Sequence, residues 1–241
     1  MTRSFSIRRW AAWMILPGIA VAACDQAAES PLQPDEIQIQ AANGAKSGVP
    51  VLAFADGSEV GTSYLKRTPN GVNNRLKTTE LVPGDTYTLW IVIFNDTDGC
   101  AAGAPDGPPC GPDDVVNADA RPDMMYAAGH IAGGSGTATF SGRRRVGDAS
   151  GSANAPVGLP AYGLENPSGA QFILVVHRHG PKLPEYMPDM IKSIDGGCFD
   201  TGVPAPGAPS PWNLYAGPPN GAFGRRGPNT CQSVQAAVHA P

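Results

Sequence analysis

The hydrophobic positions of this chain recur mainly with a period of two, in short runs separated by glycine, proline, aspartate and asparagine. Such alternation puts every second side chain on one face and predicts β-strands. Val49 to Phe54 is a short apolar run followed by the turn pair Asp56-Gly57. Arg75 to Leu81 alternates in part and runs into Pro83-Gly84-Asp85, a tight-turn sequence. Thr86 to Asn95 is dense in β-branched and aromatic residues, and its unbroken apolar stretch from Leu89 to Phe94 predicts a central strand covered on both faces. Met124 to Ala132 and Thr137 to Val146 flank Gly133-Gly134-Ser135-Gly136 and predict a hairpin. Gln171 to His179 predicts another long strand. Helical windows are scarce, because 30 glycines and 25 prolines interrupt the chain. Only Tyr186 to Ile194 and the stretch after Cys231 leave room for a short turn or helix. The expected fold is all-β: an antiparallel β-sandwich, jelly-roll-like or immunoglobulin-like, with long Gly/Pro-rich loops.

The pattern changes at the N-terminus. Arg3, Arg8 and Arg9 precede an apolar stretch from Trp10 to Ala23, which leads into Cys24. The stretch is short for a bilayer span, which needs about 20 apolar residues. It fits a cleaved export signal better. Its end, Val21-Ala22-Ala23-Cys24, resembles the lipobox of bacterial lipoproteins. The resemblance implies cleavage before Cys24, a diacylglycerol on its sulfur and attachment to a membrane of the bacterial cell envelope. Asp25 resembles an inner-membrane retention signal of enteric bacteria, a rule too narrow to choose the membrane. The expected organisation is a signal peptide over 1–23, a lipid-anchored flexible tether over 24–47 and one domain over 48–241. Within the tether, Glu36 to Gln40 alternates as a short edge strand would.

Cysteine usage agrees with export. Five cysteines are present, and lipidation of Cys24 leaves Cys100, Cys110, Cys198 and Cys231. An even number in an oxidising compartment reads as two disulfides. Three pairings are possible; Cys100–Cys110 and Cys198–Cys231 are favoured because each brackets one Gly/Pro-rich loop. A four-cysteine zinc site is the competing reading, but no C-x-x-C pair is present. The chain holds 17 basic and 21 acidic residues, for a net charge of −4. Without the three signal arginines the balance is 14 against 21, or −7. Such an acidic exported chain is a poor candidate for binding nucleic acid. Arg143-Arg144-Arg145 is the one basic run longer than a pair, and a solvated strand end accounts for it.

Most of residues 65 to 239 resembles a group of uncharacterised exported bacterial proteins through short words. These include Arg67-Thr68-Pro69-Asn70-Gly71, Leu81-Val82-Pro83-Gly84, Tyr87-Thr88-Leu89-Trp90, Phe94-Asn95, Cys110-Gly111, Ala128-Gly129-His130, His179-Gly180-Pro181 and Gly196-Gly197-Cys198. The group has no assigned reaction. The resemblance therefore implies one β-rich exported domain and no catalytic residue.

Three sets of residues carry candidate chemistry. His177 and His179 lie two apart on a strand and share a face; with His130 they make a histidine cluster suited to zinc or copper. Asp96 and Asp98 before Cys100, with Asp113 and Asp114 after Cys110, would be drawn together by a Cys100–Cys110 bridge into an oxygen-rich calcium loop. The EF-hand pattern itself is absent, and turn-forming carboxylates are the plainer account. Trp212 and Tyr215, in the long loop between Cys198 and Cys231, are candidates for an exposed aromatic contact. Catalytic signatures are missing: no G-x-S-x-G elbow, no paired acids and no nucleotide loop. The expected function is a lipid-anchored binding or structural module with an envelope protein or glycan as partner. A metal-binding protein is the alternative, and an envelope hydrolase comes last.

Overall fold

The computed structural model describes residues 46–103, 107–155, 158–200 and 224–241. The strands are β1 (Lys46–Ala53), β2 (Glu59–Thr68), β3 (Gly71–Thr78), β4 (Asp85–Phe94), β5 (Pro122–Ile131), β6 (Ala138–Arg145), β7 (Gln171–Pro181), β8 (Cys198–Asp200), β9 (Asn229–Thr230) and β10 (Gln232–His239). Eight of them form one antiparallel sheet in the order β5-β4-β7-β10-β1-β2-β3-β6. β8 and β9 form a small parallel pair beside it. The antiparallel all-β class is as expected, built from one continuous sheet.

That sheet curls until its edges nearly meet. All eight strands contribute to a single buried cluster, including Val51, Leu65, Leu76, Ile91, Met125, Phe140, Leu174 and Ala237. Burying each large aliphatic side chain stabilises the fold by about 1.5–3 kcal/mol. β4 is buried along its whole length. Ile91 and Ile93 face the interior. Trp90, Val92 and Phe94 face outward, under a second layer that includes Val115, Ala120, Ala153 and Ile194. The unbroken apolar run of this strand thus reflects cover on both sides.

β5 and β6 do not form the hairpin ladder their sequences predict. β5 pairs with β4 and β6 pairs with β3. The Gly133–Gly136 turn joins the two edges of the curled sheet, and side chains fill the seam. His130 stands edge-on to Phe140 at 5.7 Å between ring centres. The segment after β3 crosses over this turn, with Leu81 N–H donating to Gly136 O and Gly84 N–H to Ala132 O. Around the seam the strands run β3-β6-β5-β4, a Greek-key path.

Two further differences concern β2 and the C-terminus. β2 alternates Ser63, Leu65 and Arg67 inward with Tyr64 and Lys66 outward, so its inner face is only partly apolar. The stretch after Cys231 is strand β10, between β7 and β1, and not a helix. The expected short helix is present as a single turn at Met187–Met190, preceded by a 3-10 turn at Pro184–Tyr186. The Glu36–Gln40 alternation lies outside the described residues.

Candidate functional site

β7 carries its two histidines on the outer face, as their spacing predicts. Both are buried, because residues 190–198 fold down over them. His179 Nδ1 lies 2.9 Å from the Gly196 carbonyl, an acceptor only, so this nitrogen carries the proton. His179 Nε2 is 2.9 Å from Thr88 Oγ1, and Trp90 Nε1–H donates to that same hydroxyl at 2.9 Å. In the neutral ring Nε2 is therefore the acceptor, and the Thr88 hydroxyl donates to it. Burial pushes the His179 pKa down to about 4, and the Gly196 carbonyl only partly offsets this. Burial, then the neighbouring His179, holds His177 well below the ordinary histidine range. His177 Nδ1 lies 3.2 Å from Ser233 Oγ, and the Ile194 backbone approaches the ring from the covering segment and partly offsets the fall in its pKa.

The cysteines complete this cluster. Cys198 and Cys231 are disulfide-bonded with Cα atoms 5.6 Å apart. Their sulfurs lie 3.6 and 3.9 Å from His179 Nδ1. Ligand atoms of His177, His179, Cys198 and Cys231 all fall within 4.8 Å of one another. Two histidines and two thiolates make a donor set that suits zinc. A disulfide offers no thiolate, so the oxidised form lacks half of that set. Asp195, on the covering segment, is buried too; loss of solvent raises its pKa to about 7 against the opposing pull of Arg226.

His130 does not join this cluster. It pairs with Tyr87 across the β4–β5 ladder, whereas His177 pairs with Thr88 across β4–β7. Neighbouring residues of a strand face opposite ways. Tyr87 and the Phe140 ring against His130 both belong to the interior cluster, and His177 lies on the outer side. The three-histidine cluster is thus split by the sheet.

The aspartates of the 96–114 loop also part company. The Cys100–Cys110 bridge forms as expected, with Cα atoms 5.1 Å apart. Asp114 turns inward and accepts the backbone N–H groups of Ala101, Ala102 and Gly111, plus the Asn117 side-chain amide. Burial opposes its ionisation, but these donors outweigh it and lower its pKa. Asp96 caps its own turn through Asp98 N–H, and Asp98 and Asp113 are exposed. Asp114 groups with Cys100 and Cys110, not with the other three acids. A carboxylate saturated by N–H donors closes a loop and has no lone pair left for a cation. Cys24, Trp212 and Tyr215 lie outside the described residues.

One surface escapes a reading residue by residue. Lys46, Tyr64, Lys66, Asn73, Arg75 and Lys77 border an open hollow of about 640 Å³ on the outside of β1, β2 and β3. Its signal was period-two spacing of basic residues in separate strands, which becomes a patch only when the strands align. No protein-family model, curated protein or solved structure matches this chain.

Proposed function

We propose that this protein is a lipid-anchored module of the bacterial cell envelope, held at the membrane through Cys24. Its β-domain serves there in binding or in structure, toward an envelope protein or glycan. Cysteine usage carries this reading. Four of the five cysteines are consumed in the Cys100–Cys110 and Cys198–Cys231 bridges. The fifth is the one that follows Val21-Ala22-Ala23. Disulfides persist in oxidising compartments, which fits export. Labelling a bacterial host with radioactive palmitate tests the anchor. Wild type should take up label and Cys24→Ala should not; an unlabelled wild type would sink the reading.

A second reading, metal binding, is favoured by one observation: the approach of His177, His179, Cys198 and Cys231 within 4.8 Å. It applies to the reduced protein, where both thiolates are free. Zinc binding after reduction, at one ion per chain and lost in His177→Ala, would support it. Failure to bind zinc once free thiols are demonstrated would remove it.

A further inference from the structure

The outer faces of β1, β2, β3 and β6 form a small lattice of aligned positions. Lys46, Lys66, Asn73 and Arg143 stand opposite one another in one cross-strand row. The next row holds Gly48, Tyr64, Arg75 and Ser141, and the third Pro50, Thr62, Lys77 and Thr139. Arg145 stands on the other side of the first row, opposite Gly71, where Asp148 also feels its charge. No carboxylate occupies any of these rows. The ion pairs among the described residues, Arg121–Glu165, Arg178–Asp85 and Arg225–Asp189, use none of these cations.

This arrangement works against the fold's own stability. Lys46 and Lys66 face each other directly, and like charges opposed across a ladder are destabilising. Protection of a sheet edge explains cations on an exposed edge strand. It covers Arg143 and Arg145 on β6, but not Lys66, Arg75 and Lys77, because β2 and β3 are paired on both sides. Outside these six cations, the chain carries 11 basic residues against 21 acidic ones. This face thus holds six of the chain's 17 basic residues, while the remainder of the chain is net acidic.

We propose that this face docks the domain onto anionic phospholipid headgroups. The inference rests on the reading of Cys24 as the lipid anchor. The hollow these cations border is open to solvent rather than an enclosed cleft, which suits a surface more than a small enclosed anion. Tyr64, 43 % exposed at the centre, with Lys46 Nζ 4.7 Å from its ring centre, has the amphipathic character found at headgroup level. The face also begins where a tether from Cys24 would enter the domain, at Lys46. Lys46 lies 22 positions after Cys24 in the sequence, so an anchor at Cys24 would keep this face near the bilayer.

The test compares wild type with the triple variant Lys66→Gln/Arg75→Gln/Lys77→Gln, both as full chains. Each is mixed with vesicles of pure phosphatidylcholine and with vesicles containing phosphatidylglycerol. The anchor and the cations Arg3, Arg8 and Arg9 are common to both proteins, so the difference in anionic preference between wild type and variant isolates the face. Wild type should prefer anionic vesicles, and the variant should lose about a hundredfold of that preference. About 1 M salt should abolish it as well. The replaced side chains are exposed, so the variant's thermal midpoint should hold or rise as repulsion is relieved. Equal binding of wild type to both vesicles overturns the inference, as does undiminished preference in the variant. Tighter binding to a soluble anionic polysaccharide or to DNA than to anionic vesicles reassigns the face and overturns it too. Palmitate uptake without a vesicle preference defeats the face alone; a vesicle preference without palmitate uptake defeats the anchor alone.

Discussion

The Thr88 hydroxyl and the His179 ring are locked in one donor–acceptor order. Trp90 Nε1–H donates to Thr88 Oγ1, Thr88 donates to His179 Nε2, and His179 Nδ1–H donates to the Gly196 carbonyl, each at 2.9 Å. The chain of bonds ties β4 to β7 and both to the covering segment that holds the Cys198 end of a disulfide. Thr88→Val keeps the shape but removes the hydroxyl, leaving an indole N–H and an imidazole nitrogen buried without partners. We expect a loss of about 2–5 kcal/mol in urea unfolding. A loss below about 0.5 kcal/mol would show that water replaces the hydroxyl, and the locked order would be wrong.

Acid should destabilise the protein in a defined window. His177, His179 and His239 are buried, and their pKa values are lowered, to about 4 for His179 and His239. Between about pH 6.5 and 4 the unfolded chain binds these protons and the folded chain does not. Their stabilisation is complete above pH 6.5 and is lost as pH falls toward 4, by about 3 kcal/mol each for His179 and His239. Asp195 acts the other way. Its pKa is raised to about 7, so acidification relieves the cost of burying its charge, by about 4 kcal/mol in full. Three histidines outweigh one aspartate, so the urea midpoint at pH 4.5 should lie below that at pH 7. Asp195→Asn removes the offset and should steepen the pH dependence. A midpoint that rises on acidification would contradict the assignment of neutral buried rings.

What could be read from the sequence was whatever depends on one strand at a time. β4 was legible because Leu89 to Phe94 is apolar on both faces, and the pairing of His177 with His179 because residues two apart share a face. β10 was not. Gln232–His239 contains Gln235, Ala236 and Ala237, which favour no strand by themselves, and it extends because β7 and β1 flank it. The face of His130 is hidden from the sequence for a related reason. Its face depends on whether its strand registers against Tyr87 or Thr88, a one-residue difference that inverts every side chain. The basic face stayed hidden because Tyr64, Lys66, Arg75 and Lys77 are scattered along the chain and meet only through the ladders. Arg143-Arg144-Arg145 is a run in the sequence, yet Arg144 lies on the opposite face from its neighbours.

Asp114 should behave as a structural carboxylate. Asp114→Ala would strand the amides of Ala101, Ala102 and Gly111 that now point at it. The expected cost is about 2–4 kcal/mol, with faster hydrogen exchange confined to the 99–117 loop. Because its folded pKa is lowered, its contribution is present above the unfolded value of 3.8 and is lost as pH falls further. Millimolar calcium should leave the wild-type thermal midpoint unchanged. A calcium-dependent rise that disappears in Asp114→Ala would restore the calcium loop and remove this account.

Arg67 closes the other end of the sheet. Its guanidinium is buried, with no ion-pair partner among the described residues. It donates instead to the carbonyls of Pro167, Ala170 and Ala240, at 3.0, 3.2 and 2.7 Å, and stacks 5.2 Å from the Phe172 ring centre. Its NH1 also reaches Ser47 Oγ, which with Ser63 Oγ brackets the His239 ring. One side chain thus joins β2, the loop before β7 and the end of β10. Arg67→Ala leaves the buried carbonyls of Pro167 and Ala170, and the more exposed one of Ala240, without their donor and should cost about 3 kcal/mol or more. The C-terminal residues 236–240 should then exchange amide protons before the rest of the sheet. Arg67→Lys keeps the charge but loses the planar fork, so it should fall between wild type and alanine. Equal stability of the lysine and alanine variants would mean that the charge contributes nothing there. Equal stability of lysine and wild type would mean that the fork geometry is not what holds the C-terminus.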